Sequence, residues 1–295
     1  MELIEGKKIA NGIVEEVKAG IKERKLAPGL GVVLVGDDEA SKIYVGLKER
    51  AAREVGVNFF KAEFDFNENE KNILEKIAEF NVDEKVHGII VQLPLPKKFD
   101  TQKIINSIDS KKDVDGFCPE NIEKFLRGDG NIFPVFPGAI LTMIESVGEK
   151  VEGKKGAVIC NSDEFGVIMI EALRRKKIKG EYFLAKWLIE EKGSKEVENQ
   201  EIGVENQKKN NIEKLKEADV LVSACGIPNF IKSEMIKDGA IVIDGGITKI
   251  GGKVVGDVDL ESIKNRNVFL SPVPGGVGPV TVATLMRNAW ILAKK

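Results

Sequence analysis

The sequence predicts an α/β protein built on mostly parallel sheet, and three observations carry that prediction. Short apolar runs bounded by turn residues alternate with longer segments of helical periodicity. The alternation occurs in two separate sets, and 295 residues are long for one core but comfortable for two domains. A formal net charge of -2 leaves no electrostatic footprint for nucleic acid, so a small molecule is the expected partner. Cys118, Cys160 and Cys225 lie far apart without metal-ligand spacing and His87 is the single histidine, so no metal site is expected. The start, Met1-Glu2-Leu3-Ile4-Glu5-Gly6-Lys7-Lys8, has neither the basic end nor the apolar core of an export signal. No apolar run approaches about 20 residues, so a cytoplasmic protein with reduced thiols and no membrane partner is expected.

The first set opens on a helix from about Lys8 to Arg24, with Ile9, Ile13, Val17 and Ile21 at helical spacing. Leu30-Gly31-Val32-Val33-Leu34-Val35-Gly36 then reads as a buried strand, and Asp37-Asp38 stand where they can cap a second helix. On that helix, at about 100° of rotation per residue, Ser41, Tyr44 and Lys48 fall within roughly 60° of one another. A hydroxyl, a ring and an amine thus share one face. An ammonium tuned toward neutrality by burial or a nearby cation can act as a base, which makes Lys48 a candidate catalyst; a solvated lysine on an amphipathic helix is the competing reading.

A strand at 58–64, a helix near 70–80 and a strand at 87–92 continue the alternation and leave Gln92 at a carboxyl end, where parallel sheets bind ligands. His87, ahead of an apolar strand, reads as structural. Leu93-Pro94-Leu95-Pro96 cannot extend a central strand and is expected to be a rigid loop. Asp113-Val114-Asp115-Gly116-Phe117-Cys118-Pro119 fixes a turn, in which Asp115 is either a capping or a functional carboxylate.

After Pro134-Val135-Phe136-Pro137, a helix is expected from about Ala139 to Val147, and Gly153-Lys154-Lys155 introduces the second set. Gly156-Ala157-Val158-Ile159-Cys160 reads as a strand, and Asn161-Ser162-Asp163-Glu164-Phe165-Gly166 turns into a helix ending at Arg174-Arg175-Lys176-Lys177. The turn is placed like the first βα turn of a dinucleotide-binding domain but lacks the full G-x-G-x-x-G. The four basic residues suit a helix C-terminus through its dipole better than a phosphate site. A strand at 181–185 precedes a polar insertion from Lys186 to Lys214, expected to be a charged helix with a surface loop or partly disordered. Strands near 219–224, 240–246 and 268–270 follow. Ser271-Pro272-Val273-Pro274-Gly275-Gly276-Val277-Gly278-Pro279 then leads into a last helix, with Pro279 suited to its first turn and bare backbone donors suited to an anion or carbonyl.

Taken in order, five segments resemble the bifunctional methylenetetrahydrofolate dehydrogenase/methenyltetrahydrofolate cyclohydrolase family: Ser41 to Lys48 in a Y-V-x-x-K setting, Val91 to Pro96, Asp113 to Phe117, Val255-Gly256-Asp257-Val258-Asp259, and Pro272 to Pro279. The resemblance implies an N-terminal parallel-sheet folate domain (1–137), a Rossmann-like dinucleotide-binding domain (138–272) with a cleft between them, and a loop and C-terminal helix (273–295) returning to the first domain. It implies a homodimer that oxidises methylenetetrahydrofolate with NADP and hydrolyses the methenyl product to 10-formyltetrahydrofolate. By position, Lys48 would be the cyclohydrolase acid/base, Gln92 its hydrogen-bonding modulator, Tyr44 a wall against the folate ring and Asp115 the group holding the pterin. Leu93, Pro94, Pro272, Gly275, Gly276 and Pro279 complete the implied folate contacts. Asn161, Ser162, Cys225, Gly226, Gly246 and Ile247 are the implied cofactor contacts.

The departures from the family lie on the cofactor side. Gly-Arg-Ser at the phosphate turn is Cys160-Asn161-Ser162 here, and the usual His-Ser after the next strand falls at Trp187-Leu188. The Arg and Ser that would recognise the extra phosphate of NADP have no counterpart, and Cys160 brings a side chain where glycine lets backbone approach a pyrophosphate. Pro-Cys-Thr-Pro is replaced by Pro134-Val135-Phe136-Pro137. NAD, or no cofactor, therefore stands beside NADP, and a cyclohydrolase with a degenerate dinucleotide site or a non-catalytic folate or nucleotide binder stands beside the bifunctional enzyme. Tyr44-x-x-x-Lys48 also matches the short-chain dehydrogenase pair, but in that family a glycine-rich turn precedes the pair, whereas here the pair comes first.

Overall fold

The structure, a computed structural model, describes residues 1–130, 132–188 and 208–294. The first half contains β1 (Glu2–Leu3), α1 (Gly6–Arg24), β2 (Gly29–Val35), α2 (Glu39–Val55), β3 (Asn58–Phe64), α3 (Glu70–Val82), β4 (Gly88–Val91), α4 (Thr101–Asn106), α5 (Pro119–Arg127) and α6 (Val135–Ser146). The second contains β5 (Lys155–Cys160), α7 (Asp163–Arg175), β6 (Lys179–Leu184), helical residues 208–216 (α8), β7 (Val220–Ala224), β8 (Ile241–Asp244), β9 (Thr248–Ile250), β10 (Lys253–Val255), α9 (Leu260–Ile263), β11 (Phe269–Leu270) and α10 (Val277–Leu292). By packing, Ala10–Gly138 and Thr281–Lys295 form one unit, and Met1–Ile9 with Ala139–Val280 form another.

The first unit is built on a three-stranded parallel sheet, β3-β2-β4, with every residue of β2 buried. Strand alternation sends Val33 and Val35 to one face, where they meet Ile89 and Val91 of β4 and Ile73 and Ile77 of α3. The helix α2 follows β2 at once and packs on β2 and β3 through Val45, Ala52 and Val55. Asp38 caps it, its carboxylate accepting from the Ser41 N–H at 2.7 Å, and Gly56 ends it with a φ of 84°. Past β4 the Gln92 N–H still donates to the Val33 carbonyl at 2.8 Å before the chain leaves the sheet through a cis Leu93-Pro94 bond. Residues 112–114 run beside β4, with the Ile89 N–H on the Lys112 carbonyl at 2.7 Å. From the far end of the chain, α10 contributes Asn288, whose side-chain amide donates to the Val114 and Phe133 carbonyls at 3.0 and 3.1 Å.

The second unit carries a six-stranded, wholly parallel sheet in the order β1-β11-β8-β7-β5-β6. Its chain runs from β5 outward to β6 and then returns to the other side of β5 as β7. The switch point therefore lies at the carboxyl ends of β5 and β7, where doubly wound sheets bind ligands. A core of Ala157, Ile159, Phe183, Leu221, Val242 and Leu270 lines one face.

Several boundaries differ from the sequence reading. Helix α6 begins at Val135, not near Ala139, because Pro137 falls in the first turn, where the missing N–H has no intrahelical partner to lose. The strand expected at 181–185 is β6 at Lys179–Leu184. Of the Lys186 to Lys214 insertion, residues 189–207 lie outside the described residues, and 208–216 are helical. His87 is structural as read, its Nδ1 accepting from the Gly29 N–H at 3.1 Å. Among the described residues, no helix is long and apolar enough to cross a membrane.

One close approach seats α10. A Cβ added at Gly20 of α1 would lie 1.9 Å from Cζ2 of Trp290, two residues beyond Asn288. Gly20→Ala gains about 1 kcal/mol of helix propensity, but displacing a packed indole costs about 1–3 kcal/mol. The expected outcome is a net loss of stability, read as a lower urea midpoint with an unchanged slope.

Candidate functional site

The face of α2 that carries Tyr44 and Lys48 meets the residue just past β4. The Lys48 ammonium donates to Oε1 of Gln92 at 2.6 Å, and Nε2 of Gln92 donates to the Leu93 carbonyl at 2.6 Å. With both ends of its amide engaged, Gln92, which is buried, holds its oxygen toward the lysine. Burial lowers Lys48 below the ordinary lysine range, while the Asp115 carboxylate pulls it back up. Tyr44, one helical turn earlier, is half-buried, and burial raises its phenol. Ile43 and Leu47 stand exposed beside this pair on the same helix, and Leu93 is exposed next to Gln92.

Asp115 is half-buried as a residue, but packing around its carboxyl, reinforced by Asp113, pushes it up to about 6 against the pull of Lys48. Its neighbour Asp113 has a different task. Asp113 is buried, and its two oxygens accept from the Gly116 N–H at 3.0 Å, the Cys118 N–H at 2.8 Å and the Asn121 side chain at 3.0 Å. These bonds shape the 113–118 turn, Gly116 takes a φ of 77°, and Asn288 holds the Val114 carbonyl from the opposite side. Asp113, Asn121 and Asn288 were not singled out by the sequence reading. The signal for Asp113 was its place two residues before Asp115; for Asn288, a contact across 174 residues, no local signal exists.

Pro272, Gly275, Gly276 and Pro279 belong to the six-stranded unit. Val273-Pro274 is cis, Gly275 takes a φ of 102°, and Pro279 sits in the first turn of α10. A Cβ added at Gly6 would lie 1.9 Å from the Gly276 carbonyl oxygen, so the turn seats directly on the start of α1.

At the switch point, the Asn161 side chain donates to the Cys225 carbonyl at 2.6 Å, joining the loops after β5 and β7. Ser162 caps α7, its hydroxyl accepting from the Phe165 N–H at 3.3 Å, and the first turn carries Asp163 and Glu164. Cys160 does not intrude on this turn: its side chain is fully buried, with Sγ 3.3 Å from the Ser162 carbonyl. Arg174 and Arg175 pair with Glu171, Lys176 with Glu145 and Lys177 with Glu152, which leaves this run as a paired helix end. Gly226 is exposed with a φ of 65°, and Thr248 donates to its carbonyl at 3.0 Å; Gly246 is buried and Ile247 exposed.

Behind these loops lies a network that the sequence reading did not identify. Asp257 accepts from the Ser223 hydroxyl at 2.7 Å, the Cys225 N–H at 2.9 Å and the Ile227 N–H at 2.8 Å. Asp244 accepts from the N–H groups of Gly246 and Asp257 at 3.0 Å each and of Val258 at 2.9 Å. Burial pushes Asp244 up to about 6, opposed by those three donors.

Residues 4–115 match the catalytic domain, and residues 134–295 the NAD(P)-binding domain, of the tetrahydrofolate dehydrogenase/cyclohydrolase family. The bifunctional protein FolD of Campylobacter hominis is 38% identical over 100% of this chain and 98% of its own length, and that of Listeria innocua 37% identical over 100% and 98%. Among solved structures, the bifunctional FolD enzyme of Campylobacter jejuni superposes with a TM-score of 0.87 at 33% identity, covering 100% of this chain and 99% of that one. The Trypanosoma brucei FolD, solved with NADP cofactor and an inhibitor, gives 0.85 at 28% identity over 99% and 97%. On matches that span both halves of its sequence, the chain belongs to the tetrahydrofolate dehydrogenase/cyclohydrolase family.

Proposed function

We propose that this chain oxidises methylenetetrahydrofolate with a nicotinamide dinucleotide and hydrolyses the methenyl product to 10-formyltetrahydrofolate. The observation that carries the second step is the 2.6 Å contact of a burial-lowered Lys48 with a fixed Gln92 oxygen. The methenyl carbon is a cationic electrophile, so its hydrolysis asks mainly for an oriented water and a proton acceptor. In its neutral form Lys48 takes the proton that the attacking water sheds and delivers one to the departing nitrogen. Gln92 aims the amine, Tyr44 gives the flat ring system a wall, and Asp115 accepts hydrogen bonds from the pterin. We assign residues 1–137 to the folate side, 138–272 to the dinucleotide side and 273–295 to the loop and helix that return to the folate side. A cytoplasmic homodimer is proposed on family grounds.

The exposed glycine after β7, Gly226, where an added Cβ would meet nothing within 4 Å, fits a dinucleotide at the switch point. When bound, the dinucleotide accepts the hydride given up by the methylene carbon. Its choice follows from the α7 turn. NADP is the family's usual partner, but here Asn161 is neutral and bonded to Cys225, and Asp163 and Glu164 put negative charge in the first turn of α7. We propose that NAD is the better substrate.

Lys48→Ala is expected to lower methenyl hydrolysis by about a hundredfold or more, followed by loss of methenyl absorbance; full activity in this variant would remove Lys48 from its role. Because Asp115 is protonated below about 6, KM for the folate should fall as pH rises through that value, and Asp115→Asn should flatten this dependence while raising KM at pH 7 to 8. For the cofactor, kcat/KM with NAD should exceed that with NADP, and Asn161→Arg should shift the ratio toward NADP by about tenfold.

A further inference from the structure

We propose that Asp257 is a positioning residue for the dinucleotide: through Cys225 and Ile227 on one side and Asp244 on the other, it holds the loops after β7 and β8 in the shape that binds the cofactor. The proposal rests on the dinucleotide reading given above.

The geometry is reciprocal. Oδ2 of Asp257 gathers the Ser223 hydroxyl, the Cys225 N–H at 2.9 Å and the Cys225 thiol at 3.2 Å, and Oδ1 takes the Ile227 N–H at 2.8 Å. The backbone N–H of Asp257 in turn donates to Asp244, whose carboxylate also holds Gly246. Each carboxylate is packed against a glycine of the other's segment. A Cβ added at Gly246 would lie 2.1 Å from Oδ1 of Asp257, and one at Gly256 2.1 Å from Oδ2 of Asp244. Asp257 has no exposed surface and Asp244 only 3%. Neither group can reach a ligand directly, yet the donors they hold belong to the two loops at the carboxyl ends of β7 and β8. A ligand-binding loop whose backbone is fixed by buried acceptors loses less entropy on binding. The buried carboxylates thus act through Cys225, Gly226 and Gly246.

Asp257→Asn is the discriminating variant. Both oxygens of Asp257 accept, so in either orientation an asparagine sets its amide N–H₂ against a donor, Ser223 and Cys225 on one side or Ile227 on the other. Three quantities are measured on the full-length variant: NAD affinity by isothermal titration, dehydrogenase KM and kcat, and cyclohydrolase rate. Dissociation constant and KM for NAD should rise by about tenfold, with kcat changed less and hydrolysis retained, because Lys48, Gln92 and Asp115 lie in the other unit. Unchanged NAD affinity in Asp257→Asn, beside a wild type that binds, overturns the positioning role alone. A wild type that binds neither NAD nor NADP overturns the dinucleotide reading and this proposal with it. If Asp257→Asn loses cyclohydrolase activity and cooperative melting together, Ser223→Ala decides. It removes one donor from Oδ2 and should raise KM for NAD about threefold with hydrolysis intact; an unchanged KM overturns the proposal.

Discussion

The buried amide of Gln92 is the constraint on which the position of Lys48 depends. Its backbone N–H continues the pairing of β4 with β2, its Nε2 is spent on the next carbonyl, and its Oε1 has nowhere to face but Lys48. This works because β2 and β4 are parallel neighbours and α2 follows β2 directly, so the residue beyond β4 emerges beside α2. A slip of one residue in β4 would turn Gln92 to the other face of the sheet and leave Lys48 without its partner. Leaving a buried amide unpaired costs about 1–3 kcal/mol, so the register and the Lys48–Gln92 contact reinforce each other.

The two aspartates of the 113–118 turn show how environment separates like groups. Asp113 is surrounded by donors and shapes the turn; Asp115 has burial and its neighbour's charge against it and only Lys48 in its favour. Asp115 pushed up to about 6 and Lys48 held below its ordinary range are the pairing on which the proposed acid–base role rests. In the second unit Asp257 and Asp244 both resemble Asp113: buried, their oxygens are taken up by the Ser223 and Cys225 side chains and by backbone N–H groups.

The parallel α/β alternation, the cap of α2 by Asp38 and the shared face of Tyr44 and Lys48 were legible because each is a local pattern with its own period or turn chemistry. Gln92 and Asp115 were legible as residues ending a strand and closing a turn, and the order of the motifs supplied the family. What stayed hidden was of three kinds. Two-residue β1 and four-residue α9 are too short to carry a period. Helix α6 begins at Val135, before its expected start near Ala139, because Pro137 falls in the first helical turn, which tolerates proline. Asn288 and the Asp244–Asp257 pair depend on contacts across tens to hundreds of residues, which no window of sequence contains.

The altered phosphate turn gains its meaning from that hidden network. Read as sequence, Cys160-Asn161-Ser162 was a loss: a glycine gone and a cation gone. In the structure Cys160 turns inward, so the outer surface of the turn keeps what glycine would have left open. Asn161 reaches across the switch point to the Cys225 carbonyl, while Asp257 holds the N–H of the same residue. Cys225 is therefore fixed at both of its backbone polar groups, its carbonyl by the loop after β5 and its N–H by the buried Asp257. An arginine at position 161 would carry charge to a phosphate; the shorter asparagine braces a loop. On the proposal that NAD is the better substrate, the turn lacks a cation for an extra phosphate and gains a brace where the strand order reverses.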